Sequence, residues 1–129
     1  MKSAAICIAV VDDEAPVRTM LGRLLRLADY EVAAYGCGDE FIASLATRRP
    51  ECVILDVHMP GLSGFDVQSR MCTAGVDIPV VFITASDDLA LDAKVQQVGG
   101  VKLLRKPFSN DDLLEAVGAA LERRPGVVS

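Results

Sequence analysis

The feature that most constrains this chain is an alternation. Short apolar runs are separated by amphipathic segments, recurring roughly every twenty to thirty residues with no low-complexity stretch between them. Residues 5–11, 31–35, 52–55, 80–83 and 102–104 read as strands. Strands that alternate with helices build a parallel sheet, because each crossover must return the chain to the same end. The first, third and fourth runs are almost wholly apolar, as strands are when helices cover both sheet faces.

The intervening segments carry helical stripes. Val17, Met20, Leu21, Leu24, Leu25 and Ala28 recur at the helical period, with Pro16 in the first turn where it is tolerated. Phe41, Ile42 and Leu45 mark a second helix. A third starts at Ser63 with the pattern Ser-x-x-Asp ending at Asp66, and Phe65 and Met71 supply part of its buried face. Ser109 caps a fifth, whose apolar side is Leu113, Leu114, Val117 and Leu121. The fourth, about 87–97, has the weakest stripe, chiefly Leu89, Ala93 and Val98, and is expected to be the most mobile element. Five strand–helix units with right-handed crossovers give a single-domain α/β, doubly wound (βα)5, flavodoxin-like fold. Among the orders such units allow, 2-1-3-4-5 is the one adopted here. Residues 1–122 form the expected domain, and 123–129, with Pro125-Gly126 after the last helical turn, read as a tail or the start of a linker.

Composition narrows the function classes. At 129 residues and 51% hydrophobic residues the chain is one domain with enough apolar side chains for a core. Eighteen acidic against thirteen basic side chains leave no general footprint for binding nucleic acid directly. Cys7, Cys37, Cys52 and Cys72 show no Cys-x-x-Cys spacing, and the one histidine cannot complete a metal site with them. They read as small buried hydrophobes in a reducing, cytoplasmic setting. The run Ala4–Val11 ends in Asp12-Asp13-Glu14 rather than a small-residue cleavage site, and no segment is long enough to cross a membrane.

Polar residues gather where the strands end. The first run ends in Asp12-Asp13, the third in Asp56, the fourth in Thr84, and the fifth in Arg105-Lys106-Pro107. Each has an ordinary structural role when taken alone, such as capping a helix, closing a turn or solvating a surface. Their joint occurrence at four strand ends is different, since open α/β sheets place their ligand crevice there, at the switch point between strands one and three. Two unit charges about 4 Å apart repel by about 4 kcal/mol at an effective dielectric near 20, so clustered carboxylates need cations to stay ionised. Lys106 offers one charge, and a hard divalent ion such as Mg²⁺, which takes oxygen ligands and sits beside phosphoryl groups, supplies the rest. An aspartate, Mg²⁺ and a lysine are the parts of an aspartyl-phosphate mechanism, with Asp56 as nucleophile.

The stretches "VVDDE", "VILDVHMPGLSGFD", "VVFITAS" and "LLRKPF" resemble the receiver domain of bacterial two-component response regulators, over nearly the whole chain. "DVHMPGLSGFDVQ" is most similar to receivers of the nitrogen-fixation and nodulation type, whose proteins usually carry a helix-turn-helix output domain. The resemblance implies a phosphorylation-dependent signalling switch that catalyses only its own phosphotransfer and dephosphorylation. Asp56 would take a phosphoryl group from a phosphohistidine on a sensor histidine kinase or phosphotransfer protein. Asp12, Asp13, Asp56 and the backbone carbonyl of His58 would hold Mg²⁺. Lys106 would pair with phosphoryl oxygens, and its bond to Pro107 would be cis. Thr84 would swing toward the phosphate, past the small Ala85, while His58 and Ser86 lie where side chains influence hydrolysis. For His58 the plainer reading is adopted, an exposed loop residue whose backbone alone matters.

One position departs from the pattern. The usual aromatic three residues before the lysine is Leu103, so the threonine–aromatic switch is in doubt, and the signal is expected to pass through the fourth helix and the loop after Thr84. Downstream, the family implies either an attached output domain or docking to another protein, and is compatible with a homodimer on phosphorylation. Two rivals are set against this reading. A phosphatase of the haloacid dehalogenase type needs a second aspartate two residues after the first, and position 58 is histidine. A pseudo-receiver that only binds partners is favoured by Leu103 alone.

Overall fold

The computed structural model describes residues 5–125. Five strands and five helices alternate: β1 (Cys7–Val11), α1 (Ala15–Leu27), β2 (Glu31–Tyr35), α2 (Gly38–Ser44), β3 (Cys52–Asp56), α3 (Gly64–Thr73), β4 (Val80–Thr84), α4 (Ala90–Gln97), β5 (Lys102–Arg105) and α5 (Asn110–Glu122). All strand pairs are parallel and the order is β2-β1-β3-β4-β5, so the expected doubly wound, flavodoxin-like sheet is the one formed. The central strands β1, β3 and β4 are buried along their whole length, while the edge strands β2 and β5 are half-buried. Near-continuous apolar runs therefore mark the strands with neighbours on both sides and helices on both faces.

Alternate side chains of each strand feed two separate cores. Ile8, Val10, Ile54, Val81 and Ile83 meet Leu21 and Leu25 of α1 and Leu113, Val117 and Leu121 of α5. Ala9, Val11, Val53, Leu55 and Phe82 meet Phe41 of α2, Val67 and Met71 of α3 and Val95 of α4 on the other face. Fully burying one such aliphatic or aromatic side chain contributes about 1.5–3 kcal/mol, so the two cores together hold the sheet between its helices against a large entropic cost.

The helix starts follow their sequence signals where a side chain caps them. Ser63 accepts a hydrogen bond from the Asp66 N–H while the Asp66 carboxylate accepts one from the Ser63 N–H, a reciprocal capping box. Ser109 accepts from the Asp112 N–H at the start of α5.

Several expectations need correction. β1 begins at Cys7 rather than residue 5, and β3, β4 and β5 each run one residue further, to Asp56, Thr84 and Arg105. In α1, Met20 is 43% exposed, because the helix buries only the narrower stripe of Leu21, Gly22 and Leu25. α4 starts at Ala90, and the expected stripe is displaced: Leu89 is 79% exposed and Ala93 is exposed, while Val95 is buried with Leu91 and Val98 packed beside it. Spacings of four and three residues serve that face equally well, and the burial follows the side where Phe82 lies. Of the cysteines, Cys7 and Cys52 are buried, Cys37 is half-buried and Cys72 is exposed on α3, so it is not the core hydrophobe expected. Of the expected tail 123–129, residues 126–129 lie outside the described residues.

Candidate functional site

The parallel sheet delivers every strand end to one edge, and the polar residues there converge. Asp12 follows β1 directly and is fully buried, so each of its polar atoms must be satisfied locally. Its N–H donates to the Tyr35 carbonyl (3.2 Å), its Oδ1 accepts from the Glu14 N–H (2.8 Å), and its carbonyl accepts from Arg18 Nη1 (2.7 Å). Asp13, next in sequence, is exposed. Asp56 is the last residue of β3 and 3% exposed, with its Oδ1 accepting from the His58 N–H at 3.4 Å. Carboxylate oxygens from Asp12, Asp13 and Asp56 all lie within 4.8 Å of one another.

Lys106 sits among these acids. Its Nζ donates to Asp12 Oδ2 at 2.9 Å and Glu14 Oε1 at 3.3 Å, and stands 3.6 Å from Asp56 Oδ2. Its backbone N–H donates to the Thr84 carbonyl (2.7 Å), and its bond to Pro107 is cis, as the resemblance implies. Burial disfavours the ammonium, but the Asp12 hydrogen bond and the charges of Asp56 and Asp12 outweigh it and raise the Lys106 pKa. The same cluster acts on Asp56 in the opposite sense. Burial first, and then repulsion from Asp12, push its carboxyl up to about 7, with Lys106 and the His58 N–H pulling only partly against them. One lysine thus leaves the three carboxylates under-compensated.

Thr84 ends β4 and is fully buried. Its hydroxyl accepts from the Ser86 N–H (3.1 Å) and lies 3.3 Å from His58 Nδ1. His58 is exposed as expected, and its ring lies against the Thr84 hydroxyl, a side-chain contact that the backbone reading did not include. Leu103 pairs with Phe82 across β4 and β5 and packs half-buried on the α2, α3 and α4 side of the sheet, where it offers no polar atom.

Four contributing residues carried no assigned role in the sequence. Glu14, third in the acidic run, shares Lys106; Arg18, one turn into α1, pins the carbonyl of Asp12. Gly64 opens α3 directly beneath the backbone of Asp56, and a Cβ there would collide with the Asp56 carbonyl oxygen. Arg105, next to Lys106, reaches the β4–α4 loop. The polar runs contain Glu14 and Arg105, but only the fold says what they touch.

The donor set consists of carboxylate oxygens in excess of their counter-charge, which fits a hard divalent ion and not a soft one. Such an arrangement, with a buried aspartate at a strand end, a nearby lysine and a hydroxyl, defines a phosphoryl-accepting signalling module built on an open α/β sheet. The comparisons agree. Residues 8–118 match the model of the response regulator receiver domain, and the chain belongs to that family. It is 37% identical over 121 residues to Nodulation protein W of Bradyrhizobium diazoefficiens, covering 94% of this chain and 53% of that protein. Among solved structures, a response regulator receiver protein from Burkholderia phymatum is 40% identical with a TM-score of 0.81, covering 96% of this chain and 98% of the other. FixJ-N superimposes with a TM-score of 0.86 at 26% identity, covering 98% and 99%. The chain spans about half the length of the curated relatives it matches. Receiver domains of response regulators are phosphorylation-dependent switches of two-component signalling, generally with Mg²⁺ in the acidic pocket, and that is the class of function this chain carries. Among the described residues no helix is long and apolar enough to cross a membrane.

Proposed function

We propose that Asp56 is the phosphoacceptor. The observation that supports it best is a nearly buried carboxylate held within 4.8 Å of two others and 3.6 Å from Lys106 Nζ. A carboxylate oxygen of Asp56 forms a bond to phosphorus, the phosphorus–nitrogen bond of a phosphohistidine breaks, and the electron pair leaves with the imidazole. Asp12, Asp13 and Asp56, with the His58 carbonyl, are the residues that would hold Mg²⁺. When bound, the ion offsets the charge that develops on the transferring phosphoryl group. Lys106 exchanges part of its contact with Asp12 and Glu14 for phosphoryl oxygens, and the Thr84 hydroxyl turns from His58 and the Ser86 N–H toward the same group.

A phosphoryl group brings about one and a half to two negative charges and three acceptors, enough for one to three new charge-assisted hydrogen bonds. Those bonds bias two conformations that lie within a few kcal/mol of each other. The domain has no turnover chemistry beyond its own phosphotransfer and dephosphorylation. Its donor is a cytoplasmic sensor histidine kinase or phosphotransfer protein, and residues 1–122 act as the receiver, with 123–129 leading toward an output domain or leaving the receiver to dock on a downstream protein. A homodimer formed on phosphorylation is one such output.

Intact mass after incubation with acetyl phosphate and Mg²⁺ tests the reading. One added phosphoryl group that needs Mg²⁺ and disappears in Asp56→Asn is the expected result. A folded protein that binds Mg²⁺ and gains no mass would instead be a pseudo-receiver.

A further inference from the structure

Arg105 makes four hydrogen bonds to the segment that follows Thr84. Its Nε donates to the Ser86 carbonyl (3.2 Å), its Nη2 to the Asp88 carbonyl (2.8 Å), and its Nη1 and Nη2 to the two carboxylate oxygens of Asp92 (3.2 and 2.8 Å). Ser86 and Asp88 lie in the loop between β4 and α4, and the Asp88 carbonyl that Arg105 reaches also accepts from the Leu91 N–H (3.3 Å) at the start of the helix. Asp92 is in the first turn of α4. One planar guanidinium therefore ties the loop and the start of the helix to the end of β5. Only a fork of fixed N–H groups can do so, since an ammonium on a flexible stem lacks the bidentate geometry.

The other end of the same segment is held by Thr84. The two peptide groups flanking Ser86 are each held, the N–H of one by the Thr84 hydroxyl and the carbonyl of the next by Arg105 Nε. β4 and β5 pair Thr84 with Arg105, so the two gripping residues sit side by side in the sheet. If the hydroxyl of Thr84 is drawn away, the Ser86 N–H loses its acceptor, and any turn of that residue must carry Arg105 with it or break the bond to Nε. α4 is open to this pull because Val95 is its only buried residue. Leu103 has no polar atom with which to do the same work.

We infer that Arg105 is the positioning residue that carries a change at Thr84 through Ser86 to Asp92 and hence to α4. The inference rests on the proposed role of Asp56 and adds the path by which that event reaches a surface. It is tested on the full chain by amide hydrogen exchange with and without acetyl phosphate and Mg²⁺, comparing wild type with Arg105→Gln, Arg105→Lys and Asp92→Asn, each checked for folding by circular dichroism. All three variants are expected to take one phosphoryl group by intact mass. In the unphosphorylated state the amides of residues 88–92 are expected to exchange about tenfold faster than in wild type. The phosphorylation-dependent change over 88–97 should shrink by at least half, with Lys no better than Gln. A phosphoryl gain with an unaltered α4 response in the Arg105 variants overturns the relay alone. No gain in wild type overturns the site reading and the relay with it.

Discussion

Neutralising Asp56 should stabilise the metal-free protein, and only at neutral to alkaline pH. Asp56 ordinarily titrates near 3.8, and in the fold its carboxyl is pushed up to about 7 by burial and by Asp12. Between those values the native state holds a proton that the unfolded chain has released, so stability falls as pH rises through the window and is fully lost only above the folded pKa. At about 1.4 kcal/mol for each pH unit, roughly three units amount to about 4 kcal/mol, an upper figure because Lys106 loses a partner when the charge is removed. Lys106 does not blur the window: its pKa is raised, so its contribution is present throughout acid and neutral pH and lost only at strongly alkaline pH.

Asp56→Asn should therefore exceed wild type by about 2–4 kcal/mol at pH 8 and by less than about 1 kcal/mol at pH 4. Urea unfolding in the presence of a chelator reads the difference as a shift in midpoint at unchanged slope. Adding Mg²⁺ should close the gap at pH 8 by binding the folded wild type more strongly than the variant. A gap of the same size at both pH values would refute the argument, because it would place the gain in packing and not in the buried charge.

Gly64→Ala should cost about 1–3 kcal/mol in urea unfolding, since the added Cβ meets the backbone of Asp56 and Val57, which cannot swing aside as a side chain would; a variant as stable as wild type would mean that α3 slides freely under the site. Thiol labelling of the native protein should modify Cys72 rapidly and leave Cys52 untouched, because Cys52 is buried and its thiol is pushed up to about 12 by that burial. Loss of the fast phase in Cys72→Ser is the check.

The sheet was legible because burial on both faces writes itself as unbroken apolar runs: "CIAVV", "CVILD" and "VVFIT" could hardly be anything else once turn residues bounded them. The acidic cluster was legible for a related reason, since a parallel sheet sends every strand end to one edge and the polar residue closing each run must arrive there. Helix faces were harder. The choice between Leu89 with Ala93 and Leu91 with Val95 turns on how α4 is rotated against Phe82, which no spacing within an eight-residue helix decides. The His58 ring contact and the Arg105 bonds were invisible for a further reason: each joins residues far apart in sequence through side-chain directions fixed only after the loops close. Gly64 sits unmarked between the capping residues Ser63 and Asp66, because a missing Cβ leaves no mark until something stands where it would be.

Asp56 and Thr84 are members of the ladder itself, each the final residue of its strand. Val57 next door donates to the Ile83 carbonyl, and Lys106 donates its N–H to Thr84. The three groups that would meet a phosphoryl group are thus mounted on adjoining rungs whose spacing is that of neighbouring strands, and none can drift without unzipping the sheet. Freedom is left to rotamers and to the loops beyond the last rung. The reacting geometry is in this sense inherited from the backbone, whereas the bonds that tie the β4–α4 loop and α4 to the sheet are made by side chains such as Arg105 and Asp92, free to diverge without retuning the chemistry.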